Sequence, residues 1–403
     1  MAKKKKKWVL ARHRIITAIA SKVIGPYTRL KYGVKIEKFK EKEKRPYLIL
    51  YNHQTAFDQF FVGLSFNRPV YYVASEDLFS NGFVSKLLRW AVAPIPIKKQ
   101  STDARAVLDC LRVKKEGGTI AIAPEGNRTY SGKTEYINPA IAGLARAMKM
   151  PIVFYRLEGG YGVQPRWSDV VRKGKMRSYV SRVMEPSEYS ALSDAELLEV
   201  IKKELWQNEC ETDGVFKHKE LAQYIERAYY VCPHCGLSTF RSQKDEITCC
   251  KCGVTVRYTP EKKLVAVQGE FPFEKTTDWY DYQTKFICKL NPSEHTQTPM
   301  YEDDADMFEV AVYERKKPLF SGAKLALYGD RICVTAGEHS VEVPFAEARA
   351  VTVLGRNKLN IYYKEKILQF KGDKRFNAVK YVQIFHHYKN VEKGETDGEF
   401  LGL

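Results

Sequence analysis

Short apolar runs alternate with helical periodicity along the first half of the chain. Tyr47–Tyr51, Val70–Ala74, Ile95–Ile97, Thr119–Ala123, Ile152–Leu157 and Ser178–Val183 are compact apolar runs and predict strands. Residues 78–92, 102–116 and 138–149 carry helical spacing between them, and 192–209 and 217–229 extend it. Such alternation predicts an α/β unit with a largely parallel sheet. Ahead of it, residues 8–24 read as a helix with Trp8, Ile15, Ile16, Ile19 and Val23 near one face and Arg12, Arg14 and Lys22 elsewhere. Gly25-Pro26 is expected to stop that helix.

The texture changes twice in the second half. A cysteine-bearing unit runs from Val231 to about Thr259, and a polar stretch with Pro260, Pro272 and Pro292 follows as an expected linker. From about residue 307 the pattern is β, with segments at 324–327, 331–335, 340–344, 350–354, 358–363 and 366–370. Turn signals at Gly329-Asp330, Gly337-Glu338 and Gly355-Arg356-Asn357 separate them, and an amphipathic helix is expected from Phe376 to His387. A small barrel or sandwich capped by a helix resembles the pleckstrin-homology-like superfold in pattern, a superfold that serves many functions. The expected organisation is an attachment helix at 1–26, the α/β domain at 27–229, the cysteine unit at 230–259, a linker at 260–306, an all-β domain at 307–390 and a tail at 391–403.

Charge adds a direction. The formal charge is +18, and residues 1–50 hold 16 Lys or Arg against Glu37, Glu41 and Glu43, so +13 of it lies there. A basic N-terminus ahead of a nearly neutral body suits an anionic membrane surface and argues against nucleic acid as the partner. No stretch reaches the roughly 20 apolar residues of a membrane span. Nor does the N-terminus carry a secretory signal, so the expected place is cytoplasmic, peripheral on the cytoplasmic face of a membrane. Nine cysteines, five of them between Cys232 and Cys252, suit a reducing compartment and a metal.

Two strand ends carry the candidate chemistry. Asn52-His53-Gln54-Thr55-Ala56-Phe57-Asp58 follows the run Tyr47–Tyr51. On one helix His53 and Asp58 would stand about 140° apart. With His53 in a loop and Asp58 in the first helical turn, the carboxylate can reach the ring, fix its tautomer and leave the other nitrogen as a general base. Such a pair alone is common by chance. Ala123-Pro124-Glu125-Gly126-Asn127-Arg128-Thr129 follows the run Thr119–Ala123. Gly126 permits a tight turn, and Arg128 offers a fork of donors suited to phosphate. Beside a phosphate, Glu125 needs a task of its own, holding the arginine or an acceptor hydroxyl.

Together, a strand-end His-x4-Asp and, about 70 residues later, a strand-end Pro-Glu-Gly-x-Arg resemble the glycerolipid acyltransferase family, its 1-acylglycerol-3-phosphate acyltransferase branch above all. The family's block Gly-x-x-Phe-Ile-x-Arg aligns with Ala93-Pro94-Ile95-Pro96-Ile97-Lys98-Lys99, where Gly, Phe and Arg are replaced and Lys99 keeps the charge. Its Pro-opened apolar strand aligns with Met150-Pro151-Ile152-Val153-Phe154, and Asn127 stands for the usual Thr. The resemblance covers about residues 45–185. It implies that His53 is the base, that Asp58 orients it, and that Glu125, Gly126 and Arg128, with Lys99, bind the acceptor. It implies acyl-CoA or acyl-carrier protein as donor, a lysophospholipid as acceptor, and transfer without an acyl-enzyme. No serine or cysteine is placed as a nucleophile, and Cys110 lies mid-helix as a core residue.

Cys232-Pro233-His234-Cys235-Gly236 and Cys249-Cys250-Lys251-Cys252-Gly253 form two knuckles with 13 residues between Cys235 and Cys249. Cys232, Cys235, Cys249 and Cys252 suit tetrahedral, structural zinc in a unit that resembles a zinc ribbon. Cys250 falls outside the matching spacing and His234 is expected to point outward. The competing reading of the whole chain is a non-catalytic, membrane-associated adaptor that uses the ribbon and the β domain. The presence of His53, Asp58, Glu125, Gly126 and Arg128 together argues for the enzyme.

Overall fold

The structure, a computed structural model, describes residues 7–41, 43, 45–79, 82–97, 104–310, 315–395 and 401–402. Two compact units emerge. The first comprises Met1–Thr129, Lys133–Pro165 and Val171–Gly214; the second comprises Tyr130–Gly132, Arg166–Val170 and Val215–Leu403.

The first unit is built on a seven-stranded sheet of β1 (Val34–Ile36), β2 (Leu48–Tyr51), β3 (Val70–Ser75), β4 (Ile95–Ile97), β5 (Thr119–Ile122), β6 (Ile152–Glu158) and β7 (Met176–Met184), in the order β1-β7-β6-β2-β5-β3-β4. All neighbours are parallel except β6 and β7. Every residue of β2 and β5 is buried, as the unbroken apolar runs require of strands covered on both faces. Leu48 pairs with Ile120 and Leu50 with Ile122, so the carboxyl ends of β2 and β5 lie side by side. Ligands of open α/β sheets bind beyond such ends. The first five α-helices among the described residues are α1 (Ala11–Tyr32), α2 (Asp58–Ser65), α3 (Phe83–Ala91), α4 (Ala104–Lys115) and α5 (Ala140–Met148), and two single turns of helix follow at Gly160–Val163 and Pro186–Tyr189. A further helix, Asp194–Leu205, starts at a capping box in which Ser193 and Glu196 exchange hydrogen bonds.

Gly25-Pro26 does not end α1, which continues through Pro26 to Tyr32 and stops at Gly33 in the left-handed region, φ 61°. Gly25 is buried, with Leu64 of α2 at an ordinary van der Waals distance, 3.7 Å, from where a Cβ would sit, so the helix packs on α2 at the very position expected to end it. The expected helix 192–209 is shorter than its pattern, giving way after Leu205 to turns and a bridge between Lys133 and Asn208. The expected helix over 78–92 opens as a 3₁₀ turn at Glu76–Phe79 before α3 begins at Phe83.

In the second unit the stretch 217–229 is turns with one 3₁₀ turn at Ile225–Arg227. Its backbone donors are drawn off sideways: Ala222 N–H donates to Lys244 O and Tyr224 N–H to Ser242 Oγ, while Tyr224 itself has φ 63°. The stretch expected as a linker is also structured. Leu264–Gln268 pairs with Thr255–Tyr258 as the last strand of a four-stranded antiparallel sheet that includes Phe240–Gln243 and Glu246–Cys249. Thr276–Cys288 is a helix that buries Trp279, Tyr280, Gln283 and Ile287, with Trp279 stacked on Tyr229 at 4.2 Å.

The C-terminal part is one curled antiparallel sheet of seven strands, Tyr301–Glu309, Lys317–Leu327, Arg331–Ala336, His339–Pro344, Ala350–Leu354, Lys358–Tyr363 and Lys366–Gly372. Its end strands, His339–Pro344 and Ala350–Leu354, do not pair among the described residues, so it is a half-barrel and not a closed barrel. The first strand begins at Tyr301, inside the expected linker, and the helix Val379–Glu392 packs on the sheet through Phe385 against Phe345.

Candidate active site

β2 ends at Tyr51, and the chain turns through a loop before α2 starts at Asp58. The turn is folded around the Asp58 carboxylate. Oδ2 accepts from Gln54 N at 2.6 Å, and Oδ1 accepts from Thr55 Oγ1 at 2.6 Å and Thr55 N at 3.0 Å. His53 Nδ1 lies 2.7 Å from Oδ2. Asp58 is fully buried while the His53 side chain keeps 23% of its surface exposed. The carboxylate occupies Nδ1, so chemistry toward a substrate falls to Nε2.

His53 is held from the other side by the loop after β5. Its N–H donates to Glu125 Oε1 at 2.8 Å, and its carbonyl accepts from Thr129 N–H at 3.0 Å. The second oxygen of Glu125 accepts from Glu135 N at 2.9 Å. Glu125 is thus a buried brace between two loops, each of its oxygens accepting from a backbone amide. Burial raises its carboxyl to about 8, against the opposing pull of the amides of Glu135 and His53. Gly126 sits at φ 68° at the exposed tip of the turn, its N–H on Ala123 O at 3.0 Å. Arg128, half-buried, is the residue before Thr129, and so lies in the turn that grips His53. Lys99 lies outside the described residues.

Residues that the sequence reading did not single out complete the support. The Asn52 side chain exchanges two hydrogen bonds with the backbone of Leu157, at 2.8 and 2.9 Å, and so prolongs the β2–β6 pairing past the strand end. Gln54 Oε1 accepts from Gly160 N at 2.9 Å, and its Nε2 donates to buried Glu209 at 3.1 Å. The same Glu209 oxygen accepts from Gly159 N at 2.9 Å and from Gln207 Nε2 at 3.1 Å. Asn52 and Gln54 flank His53 in the sequence, but partners more than 100 positions away give no local signal.

The second cluster brings Cys232, Cys235, Cys249 and Cys252 together, with all four sulfurs within 4.8 Å of one another. Cys232 and Cys252 sulfurs are 3.7 Å apart and those of Cys235 and Cys249 3.6 Å. Tetrahedral zinc with Zn–S bonds of about 2.3 Å sets its sulfurs about 3.8 Å apart, so this donor set fits the ion. Cys250 is exposed and outside the cluster, and the His234 ring turns to the carbonyl of Glu270.

A buried carboxylate on one nitrogen of a partly exposed histidine, at the carboxyl end of a parallel strand, is an arrangement capable of general-base chemistry. Residues 33–156 match the family model described as Acyltransferase. A curated relative, the 1-acyl-sn-glycerol-3-phosphate acyltransferase of Bacillus subtilis (strain 168), is 22% identical over 183 residues, which cover 44% of this chain and 87% of that protein. The crystal structure of the 1-acyl-sn-glycerophosphate acyltransferase PlsC from Thermotoga maritima is 19% identical, with a TM-score of 0.40 over 47% of this chain and 78% of that one. Residues 33–156 of the α/β unit form an acyltransferase domain, and the protein is an acyltransferase.

Proposed function

We propose that the protein transfers a fatty acyl group from acyl-CoA or acyl-carrier protein to the free hydroxyl of a lysophospholipid, 1-acyl-sn-glycerol-3-phosphate first among them. His53 Nε2 takes the proton of the acceptor hydroxyl as its oxygen attacks the thioester carbonyl. The tetrahedral intermediate collapses, the C–S bond breaks, and the leaving thiolate takes the proton back from His53. Asp58 holds the tautomer and stabilises the imidazolium. Arg128 and Lys99 take the acceptor phosphate, Gly126 lets backbone approach it, and Glu125 locks the two loops together. The observation that carries this reading is the 2.7 Å contact of His53 Nδ1 with Asp58. The activity of the Bacillus subtilis relative, a 1-acyl-sn-glycerol-3-phosphate acyltransferase, favours the same acceptor.

Attachment to the cytoplasmic face of an anionic membrane would run through α1 and the lysines before it. No helix among the described residues is long and apolar enough to cross a membrane. Supporting the attachment, Ile15, Ile19 and Val23 of α1 are all more than 60% exposed. Zinc on Cys232, Cys235, Cys249 and Cys252 would hold a ribbon-like module together and take no part in turnover, and the half-barrel with its helix is read as pleckstrin-homology-like.

The test is an assay of the purified chain with each donor type against lyso-acceptors with and without a phosphate. Transfer to the phosphate-bearing acceptors is expected, with Arg128→Ala raising their KM far more than the donor's. No transfer to any acceptor, or an equal effect of Arg128→Ala on a phosphate-free acceptor, would sink the assignment.

A further inference from the structure

The helix α3 is built inside out. Phe83, Leu87 and Trp90 follow helical spacing along one face, with Val84 beside them, and this apolar stripe faces solvent. Phe83 is 77% exposed and Trp90 53%, whereas Ser85 is the residue α3 buries. A helix that packs on its own domain by its apolar stripe shows the opposite pattern.

α3 is joined to α1. Arg12 of α1 donates to Trp90 O at 3.1 Å and sets its guanidinium 5.4 Å from the Trp90 ring. Just before α1, Trp8 Nε1 donates to Ala93 O at 2.8 Å. α1 is itself inverted, with Ile15, Ile19, Val23 and Leu30 outward and His13, Gly25, Thr28 and Tyr32 inward. Neither helix contains an acid. Between them they expose Arg12, Arg14, Lys22, Arg29 and Lys31 on α1 and Lys86 and Arg89 on α3. Outward apolar stripes flanked only by cations are the composition of helices that lie in the headgroup layer of an anionic bilayer. An exposed tryptophan suits that interface, where one side of the ring is apolar and the other wet.

We infer that α3 is a second membrane-inserting element, and that Phe83, Val84, Leu87 and Trp90 enter an anionic lipid surface alongside α1. This extends the α1 attachment proposed above and rests on it. Two docked helices fix an enzyme's orientation on a bilayer where one leaves it free to rotate about the helix axis. The acceptor, a lipid, would then always meet the same side of the domain.

The experiment uses full-length protein and vesicles of phosphatidylcholine with or without phosphatidylglycerol. Wild type should bind the phosphatidylglycerol vesicles, and brominated lipid should quench tryptophan fluorescence by a component that Trp90→Phe removes. Phe83→Ser with Leu87→Ser should weaken vesicle binding by about ten-fold or more. Both residues are exposed, so the unfolding temperature and transfer to a water-soluble short-chain acceptor should not change. Ile15→Ser with Ile19→Ser is the matching α1 arm. If the α3 variant binds like wild type while the α1 variant is lost, α3 is no docking element and the α1 reading stands alone. If wild type is a dimer that the α3 variant dissociates, the stripe meets a second copy of this chain and the inference is overturned. Absence of acyl transfer to any acceptor would defeat the enzymatic reading whatever the vesicles show.

Discussion

At His53 the chain itself fills every supporting position: Asp58 on Nδ1, Glu125 on the backbone N–H, Thr129 on the carbonyl. At the cysteine cluster four sulfurs converge within 4.8 Å, and the hydroxyl of Ser238 lies 3.1 Å from Cys249. The first geometry is held by hydrogen bonds from buried loops of a large unit, so it stands without any ligand. The second geometry rests on four sulfurs that a cation could bridge, and such an ion would supply the bonds that hold it. One cluster is braced by the chain itself; the other is a donor set that an ion would brace.

The widest consequence falls on the cysteines. Zinc bound by such modules contributes about 10–16 kcal/mol of apparent binding energy. Chelation, or Cys232→Ser, should therefore unfold the module around residues 231–259 and open it to protease, with one zinc per chain lost by elemental analysis. A metal-free preparation that keeps a protease-resistant module would erase the contrast with His53.

His53→Ala comes next. It should leave the unfolding temperature close to wild type and lower kcat by about 10²–10⁴-fold. Turnover above a tenth of wild type would mean that the base lies elsewhere.

What could be read from the sequence divides along the same line. His53 and Asp58 stand five residues apart at a strand end, and the four cysteines repeat one local spacing, so both signatures sit within short windows. The supports do not. Glu125 reaches the amide of a residue 72 positions away, and Gln54 reaches Glu209 at 155. Local punctuation misled where tertiary contacts outweighed it. Gly25-Pro26 was outweighed by packing against α2, and the helical spacing of 217–229 by bonds to Ser242 and Lys244. The prolines of 260–306 hid a helix whose buried face, Trp279, Tyr280, Gln283 and Ile287, carries the ordinary i, i+4, i+8 spacing. The outward stripe of α3 was legible as a helix but not as an exposed one, since periodicity gives a face and not its direction.

Glu125 offers a subtler probe of how the His53 loop is held. Its folded carboxyl, raised to about 8 by burial, lies above the ordinary 4.5. The folded state therefore keeps a proton that the unfolded chain gives up. Its contribution to stability is full below about 4.5, falls as pH rises toward 8, and is flat beyond. Glu125→Gln presents an amide NH₂ to one of the two backbone donors and should cost about 1–3 kcal/mol at pH 5. The gap to wild type should narrow toward pH 8, measured by denaturant unfolding. A gap that widens with pH would show that the carboxylate is ionised in the fold and that the amides outweigh burial.

The smallest effect is expected at Gly126, and its meaning comes from Gly160. A Cβ at Gly126 would meet nothing within 4 Å, so only its φ of 68° resists a side chain. Gly126→Ala should cost about 1–2 kcal/mol, the price of a left-handed L-residue, and Gly126→Asn less. A Cβ at Gly160 would lie 2.4 Å from Gln54 Oε1 and 2.9 Å from Gln54 Cβ. It would also push away the side chain that the Gly160 N–H holds, one residue from His53. Gly160→Ala should therefore lower kcat as well as stability, because the loop that carries the base is displaced. Gly126→Ala should leave kcat on a soluble phosphate-free acceptor near wild type. If both alanines lower that kcat equally, the turn tip takes part in the chemistry, and the support of His53 extends further around the loop than the hydrogen bonds alone indicate.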